Sequence, residues 1–409
     1  MDDCVKELKT QVMQRIDPSE EMDDEGIYRI IDEVIFINSK QKIISAAHKV
    51  IYRKQIFNDI KRLDILQELL EDDSITEIMI NGYDNIFYEK AGKIEKWNRQ
   101  FESADRLRDI VQRIAGASNK IINEAVPIAD TRLSDGSRVN IVMNPVAING
   151  PIITIRKFYD IPLSIDKMME IGSISREAAE FLEKLVRAKY NIFISGGTGS
   201  GKTTFLNALS NYIPKDERVI TIEDSAELKL MGISNLVRLE ARNANVEGNN
   251  AVTIRDLIKS ALRMRPDRII VGEVRGAEAI DMIQAMNTGH DGSLSTGHAN
   301  GPEDMIKRLE TMVLMGMDMP LDAIRGQISS AIDIVVQLGR LRDKSRRVIS
   351  ISEVTGMQAG QVRMHRLYEF KEKGTDENGR IIGMLEKTGD RLERTQKMAS
   401  AGIHIQENS

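Results

Sequence analysis

Residues 196–203 read Gly-Gly-Thr-Gly-Ser-Gly-Lys-Thr and match the phosphate-loop pattern G-x-x-x-x-G-K-[ST] at every fixed position. An apolar run at 192–194 precedes this stretch, and a helical run at 204–209 follows it. A phosphate-binding loop requires this order of strand, loop and helix. The segment therefore indicates a nucleotide site rather than an ordinary glycine-rich turn.

The residue types in this loop suit a polyphosphate. The glycines let successive backbone N–H groups converge on phosphate oxygens, and the helix N-terminus adds about half a positive charge. Lys202 can reach the β- and γ-phosphates, and the Thr203 hydroxyl can bind Mg²⁺. We expect ATP and Mg²⁺ as ligands. The expected contact residues are Gly197, Thr198, Gly199, Ser200, Gly201, Lys202, Thr203 and Thr204.

Short apolar strands alternate with helical patterns on both sides of the loop. The predicted strands are 191–195, 218–222, 268–271 and 293–296. Strand, loop and helix repeated in this way predict an α/β fold with a parallel-rich central sheet flanked by helices.

The spacing of apolar residues changes along the rest of the chain and predicts further domains. Helical spacing of apolar residues predicts a helical N-terminal region over 1–70, and a period of about two then predicts a smaller α/β domain over 71–157. A linker at 158–175 leads to the ATPase-like domain at 176–355. The polar extension at 356–409 has no assigned role.

Composition bounds the class of protein. The chain has 409 residues, of which 41% are hydrophobic and 29% charged, which excludes a disordered or fibrous protein. The single cysteine, Cys4, excludes a disulfide framework and a zinc site built on several thiolates, so we expect a reducing, cytosolic setting. No signal peptide is predicted, and no run approaches the about 18 apolar residues of a membrane helix. Any work at a membrane is expected from the water side.

The charge balance disfavours nucleic acid as a ligand. The chain has 57 basic and 62 acidic residues, and a net charge of −5 has the wrong sign for such a binder. The first 33 residues are acidic, whereas 40–62 are mostly basic. Two interpretations stay open here: solvated helix faces, or a docking surface for a partner or an anionic membrane.

Two glutamates follow predicted strands. Glu223 follows the strand at 218–222, and Glu273 comes shortly after the strand at 268–271. Ligands of open α/β sheets bind at the carboxyl edge of the strands, so either glutamate could bind the metal or orient water. The alternative for each is a plain surface carboxylate.

Histidines and arginines add further candidates. His298 follows another predicted strand and could sense the nucleotide, whereas His290 could equally be structural; their spacing matches no zinc pattern. Arg132, Arg138 and Arg156 lie in the smaller domain. A single arginine finger can raise phosphoryl-transfer rates by about 10³ to 10⁵, so one of these would suffice.

Several stretches together carry a family resemblance. The chain resembles the secretion ATPases of the type II/type IV superfamily, and within it the CpaF-like ATPases of tight-adherence (Flp) pilus assembly. The resemblance covers about residues 60–355. The matching stretches are LDILQELL at 63–70, TIED at 221–224, LEAR at 239–242, NVEG at 245–248, RMRPDRIIVGEVR at 263–275 and QAMNTGH at 284–290.

The resemblance implies a RecA-like ATPase domain, a smaller N-terminal domain and roles for the candidate residues. Glu223 would polarise the attacking water, and Glu273, in an atypical Walker B motif, would hold Mg²⁺ through water. His298 would belong to a histidine box. Arg138 and Arg156 match positions that reach the phosphates, with Arg132 a weaker candidate of the same kind.

The resemblance also implies an assembly and a cellular site. It implies a homo-hexamer that clamps ATP between its two domains and acts on an inner-membrane platform protein, peripheral to the cytoplasmic face. The four-cysteine zinc module of many type II enzymes cannot form with Cys4 alone, which favours the pilus-type branch. Two alternatives remain: a RecA-like nucleic-acid motor, disfavoured by charge and by an aromatic content of 4%, and a nucleotide-gated scaffold with little hydrolysis.

Overall fold

The computed structural model describes residues 3–17, 22–40, 43–118, 120–157, 163–242 and 250–403. The chain divides into two compact units, Met1–Asp160 and Ile161–Ser409. The start of the predicted linker and the matched stretch at 245–248 lie outside the described residues. No described helix is both long and apolar enough to cross a lipid bilayer.

The first unit begins with helices, as the apolar spacing predicts. Their bounds are α1 Asp3–Met13, α2 Asp24–Ser39, α3 Ala46–Lys61 and α4 Leu66–Glu71. The first three pack around their own apolar core, in which Leu8, Ile31 and Ile56 are fully buried. Ser45 caps α3 by accepting a hydrogen bond from the His48 N–H.

Three of the basic residues in 40–62 have acidic partners within this unit. Arg53 pairs with Asp32, and both Lys54 and Arg62 pair with Glu71. These ion pairs favour the interpretation as solvated helix faces over that of a docking surface.

A six-stranded sheet and one helix complete the first unit. Their bounds are β1 Ile75–Asn81, β2 Ile86–Lys90, β3 Lys93–Lys96, α5 Ala104–Ala117, β4 Ile128–Arg132, β5 Arg138–Val142 and β6 Ile152–Arg156. The strand order is β3-β2-β1-β6-β5-β4, and every neighbouring pair is antiparallel. Helix α5 buries Leu107 and Ile110 in the same core as Ile78 and Ile153 of the sheet.

The second unit alternates helices and strands through most of its length. The elements are α6 Ile165–Glu170, α7 Arg176–Arg187, β7 Ile192–Gly196, α8 Lys202–Ser210, β8 Arg218–Glu223, β9 Asn235–Glu240, α9 Ile254–Ala261, β10 Arg268–Val271, α10 Ala279–Asn287, β11 Leu294–Gly297, α11 Pro302–Gly316, α12 Leu321–Ala331, β12 Ile334–Arg340, β13 Arg346–Gln358, β14 Gln361–Thr375, β15 Ile381–Lys387 and α13 Gln396–Ser400.

These strands form one nine-stranded sheet with the order β15-β14-β13-β12-β7-β11-β10-β8-β9. The six strands from β12 to β9 in this order are parallel, whereas β13, β14 and β15 add antiparallel neighbours. The predicted parallel-rich sheet is therefore confirmed. The sequence did not predict β9, β14 or β15.

Each face of this sheet carries its own apolar core. Ile192 and Ile194 of β7 pack in one core with α6, α7 and α8, and Phe193 packs in the other with α9 to α12. Alternate residues of a strand point to opposite faces, so helices cover both sides of β7. This two-sided burial explains why β7 reads as a continuous apolar run.

The C-terminal segment is tied to the base of β7. Asp333 is 4% exposed; its carboxylate accepts hydrogen bonds from the Asn191 N–H at 2.8 Å and from Lys397 Nζ at 2.7 Å. Lys397 Nζ also donates to Asp291 Oδ1 at 2.6 Å. Part of the extension that the sequence left unassigned therefore belongs to the folded second unit.

We expect Lys397→Met to lower the free energy of unfolding by about 1.5 kcal/mol, the value of a hydrogen bond to a charged group. Urea unfolding measures this loss. Lys387→Met is the matched control, because Lys387 pairs with Glu177 where both side chains are more than half exposed, at 56% and 58%. An exposed pair contributes about 1 kcal/mol at most. Equal losses in the two variants would contradict the role of Lys397.

Candidate functional site

The phosphate loop joins β7 to α8 in a conformation that depends on glycine. Gly199 and Gly201 have φ values of 71° and 93°, in the left-handed region. A Cβ at Gly196 would lie 2.8 Å from the Leu338 carbonyl oxygen, so only glycine lets β7 end this close to β12. Helix α8 begins at Lys202 without a side-chain cap. Its first N–H groups are thus available to an anion.

The side chains of the loop fit a phosphate ligand. Ser200 is 3% exposed, and its buried Oγ has no hydrogen-bond partner among the described residues. Beside it, a Cβ at Gly197 or Gly199 would meet no atom within 4 Å, which leaves the loop backbone open. The Thr203 hydroxyl is an oxygen donor of the kind that Mg²⁺ prefers.

Lys202 turns back toward its own loop. It is 7% exposed, and its Nζ donates a hydrogen bond to the Gly197 carbonyl oxygen at 3.2 Å. The same Nζ lies 3.2 Å from His298 Nδ1, although 96 residues separate the two in sequence. The structure therefore brings together two of the residues that the sequence proposed.

Glu273 and His298 meet because β10 and β11 are adjacent parallel strands that end at the same edge. His298 Nε2 lies 2.7 Å from Glu273 Oε1. Burial lowers the pKa of His298, and the cations of Lys202 and Arg275 add to this, while Glu273 opposes it. The imidazole is thus biased toward its neutral form between the lysine and the glutamate.

Arg275 is a site residue for which the sequence motifs predict no role. Its Nη2 donates to Glu273 Oε2 at 2.8 Å, and its Nη1 donates to Asp224 Oδ2 at 3.3 Å. The hydrogen bond with Glu273 raises the pKa of Arg275. One cation therefore spans the ends of β8 and β10. Its place two residues after Glu273 in the sequence was a usable signal.

Glu223 is the most buried acid at this edge, at 3% exposed. Its Oε2 accepts hydrogen bonds from the backbone N–H groups of Glu227 at 2.8 Å and Leu228 at 3.0 Å. Burial raises the pKa of its carboxyl to about 7, against the opposing effect of these hydrogen bonds. A Cβ at Gly272 would lie 3.0 Å from Glu223 Cγ, so the glycine makes room for the glutamate beside β10. A carboxylate with this pKa can accept a proton near neutral pH.

The three predicted arginines form a row in the first unit. Arg132 faces Arg138 across β4 and β5, and Arg138 faces Arg156 across β5 and β6. Directly opposed residues share a face of the sheet, so three like charges lie side by side. The three stay predicted phosphate contacts.

The sequence of this chain is similar to those of known proteins. The sequence profile of the family described as "Type II/IV secretion system protein" matches residues 59–397. A protein of Mycobacterium tuberculosis, named for conjugal transfer, is 35% identical over 295 residues, which cover 70% of this chain and 83% of that protein. The type IV secretion system protein PtlH of Bordetella pertussis is 33% identical over 326 residues, covering 73% of this chain and 95% of PtlH.

A solved structure shares the fold. The pilus retraction motor PilT with bound ADP superimposes with a TM-score of 0.52 at 18% sequence identity, covering 84% of this chain and 88% of that one. At this identity the likeness concerns the fold alone. It agrees with a RecA-like sheet preceded by a smaller domain.

Proposed function

Because this chain belongs to the type II/IV secretion system protein family, we propose that it is an ATP-hydrolysing motor that powers pilus assembly or protein secretion. The contact chain Lys202–His298–Glu273 supports this proposal most directly, since it links the phosphate loop to the carboxyl edge of two further strands. A site that only bound nucleotide would not need a base at the same carboxyl edge of the sheet, and Glu223, the last residue of β8, can supply one.

The proposed roles follow from the positions of the groups. Loop N–H groups and Lys202 bind the phosphates, and Glu223 accepts the proton of the attacking water. Mg²⁺, when bound with ATP, would offset the phosphate charge; Thr203 would hold it directly and Glu273 through water. His298 lies between Lys202 and Glu273, where it can respond to the charge on the terminal phosphate.

In this proposal, the row of three arginines in the first unit supplies further cations for the phosphates, in addition to Lys202. Arg138 and Arg156, with Arg132 beside them, would stabilise the charge that develops on the phosphate oxygens. ATP would then favour a closed arrangement of the two domains, and release of ADP and phosphate an open one. Hydrolysis would thus drive a cycle of domain movements.

The finer assignment rests on the sequence motifs. We propose a tight-adherence (Flp) pilus ATPase of the CpaF-like type, a homo-hexamer that works at the cytoplasmic face on an inner-membrane platform protein. No nucleic acid is expected as a partner, given the net charge of −5.

ATP turnover and particle mass, measured in the same nucleotide-bound sample, test this proposal. We expect hydrolysis by a particle of six times the chain mass of 46.0 kDa. Tight ATP binding without turnover would instead support a nucleotide-gated scaffold. Salt-sensitive binding of single-stranded DNA on filters would support the nucleic-acid motor.

A further inference from the structure

An arginine far away in sequence contacts the phosphate loop from the opposite flank to the carboxylates. Arg346 is the first residue of β13, and its Nε donates a hydrogen bond to the Gly199 carbonyl oxygen at 2.8 Å. Its Cδ would lie 3.5 Å from a Cβ at Gly201. The side chain therefore lies along the loop between the two left-handed glycines.

The turn between β12 and β13 holds this arginine in place. The Leu341 N–H donates to the Ser345 carbonyl oxygen at 2.9 Å, which closes the turn. The Ser173 hydroxyl donates to the Arg346 carbonyl oxygen at 2.8 Å. The backbone of Arg346 is thus fixed on both sides, although its side chain is exposed.

The two terminal nitrogens of Arg346 remain available. Within the described part of the chain, Nε makes the only hydrogen bond of this guanidinium, to Gly199. A guanidinium carries five N–H donors in a planar fork that matches phosphate oxygens. The other four donors make no hydrogen bond to the described residues, and they lie beside an anion-binding loop.

The strand order indicates which part of a nucleotide this fork would meet. Strands β11, β10 and β8, which place His298, Glu273 and Glu223, lie on one side of β7, while β12 and β13 lie on the other. The γ-phosphate must lie toward the catalytic carboxylates. The nucleoside end of the same ligand then points toward β12 and β13.

We propose that Arg346 binds the α-phosphate of the nucleotide, the part that ATP and ADP share, and so sets the affinity for both without taking part in hydrolysis. This inference rests on the proposed function, because it assumes an adenine nucleotide in the phosphate loop. Arg346 is thereby an affinity residue of the site rather than an arginine finger.

Titration of the full chain with ATP and with ADP, beside steady-state kinetics, tests this assignment. We expect Arg346→Ala to weaken both nucleotides by a similar factor of about ten, the loss of a charge-assisted hydrogen bond, with KM raised and kcat within about threefold of wild type. Arg346→Lys keeps the charge but not the planar fork, so we expect its affinity for each nucleotide to lie between those of the wild type and of Arg346→Ala. Arg342→Ala is the control from the same turn, because Arg342 points to Glu372 instead.

Three outcomes would overturn the assignment. Unchanged ADP affinity would remove Arg346 from the nucleotide. A loss confined to ATP with a collapse of kcat would place it at the γ-phosphate. A fall of kcat together with both affinities would indicate that Arg346 only holds the loop in its conformation. Loss of its contact with Gly199 would then also displace Lys202, which follows Gly199 by only three residues. Failure of the wild type itself to bind ATP or ADP would instead reject the proposed function.

Discussion

Glu223→Gln is expected to leave ATP binding intact while the rate of hydrolysis falls at least about 100-fold, the usual effect of losing a positioned base. Glutamine has the shape of glutamate, and its single amide oxygen can still accept both backbone hydrogen bonds, because the two meet at one carboxylate oxygen, Oε2. It cannot accept the proton of the attacking water. ATP turnover at saturating nucleotide measures the loss of hydrolysis, and a binding titration measures whether the affinity for ATP is retained.

The pH dependence of the wild type gives an independent signature of the same carboxyl. Burial raises the pKa of Glu223 to about 7, so the group is mostly protonated below this pH and mostly ionised above it. Only the ionised form can act as a base. We therefore expect kcat of the wild type to rise as the pH passes through about 7, and the residual rate of Glu223→Gln to lack this rise.

Asp216→Asn is the matched control for this variant. Asp216 is exposed and precedes the other end of the same strand, so the same chemical change there should leave turnover unaltered. Hydrolysis by Glu223→Gln at the wild-type rate would contradict the assignment of the base. Glu273, at the end of the neighbouring strand β10, would then be the next candidate.

The sequence predicts the position of those site residues that lie at the carboxyl ends of strands. The loop motif located Lys202, and the rule that parallel strands share a carboxyl edge predicted that Glu273 and His298 would lie near it. The distances of 3.2 Å from Lys202 to His298 and 2.7 Å from His298 to Glu273 agree with that expectation. The rule needs only the order of strands and helices, which the apolar pattern supplies.

Contacts that depend on tertiary packing could not be predicted in this way. Arg346 reaches Gly199 across 147 residues, and no local pattern marks an arginine at the start of an antiparallel strand. Strand β14 escaped prediction for a different reason. Its pairing shifts register at two points, opposite Ile351/Ser352 of β13 and at Glu372/Gly374, and at each point β14 has one extra residue. Each shift changes the phase of the two-residue alternation, so the strand pattern is blurred.

Lys202→Ala is expected to weaken the binding of ATP by about 100-fold, since it removes the buried cation that we propose binds the phosphates through charge-assisted hydrogen bonds. ADP should lose less affinity, because it lacks the γ-phosphate. Equilibrium titration with both nucleotides measures the two losses. Lys215→Ala is the control, as Lys215 is exposed in the connection after α8.

The stability of the same site without nucleotide distinguishes a functional lysine from a structural one. Lys202 is 7% exposed, so its ammonium group carries a desolvation cost that an apolar side chain of similar length avoids. We therefore expect Lys202→Met, which keeps the apolar stem, to unfold at the wild-type temperature or above it. A loss of affinity accompanied by a lower unfolding temperature would indicate that the lysine holds the loop together. Unchanged affinity for ATP would reject the phosphate-loop assignment itself.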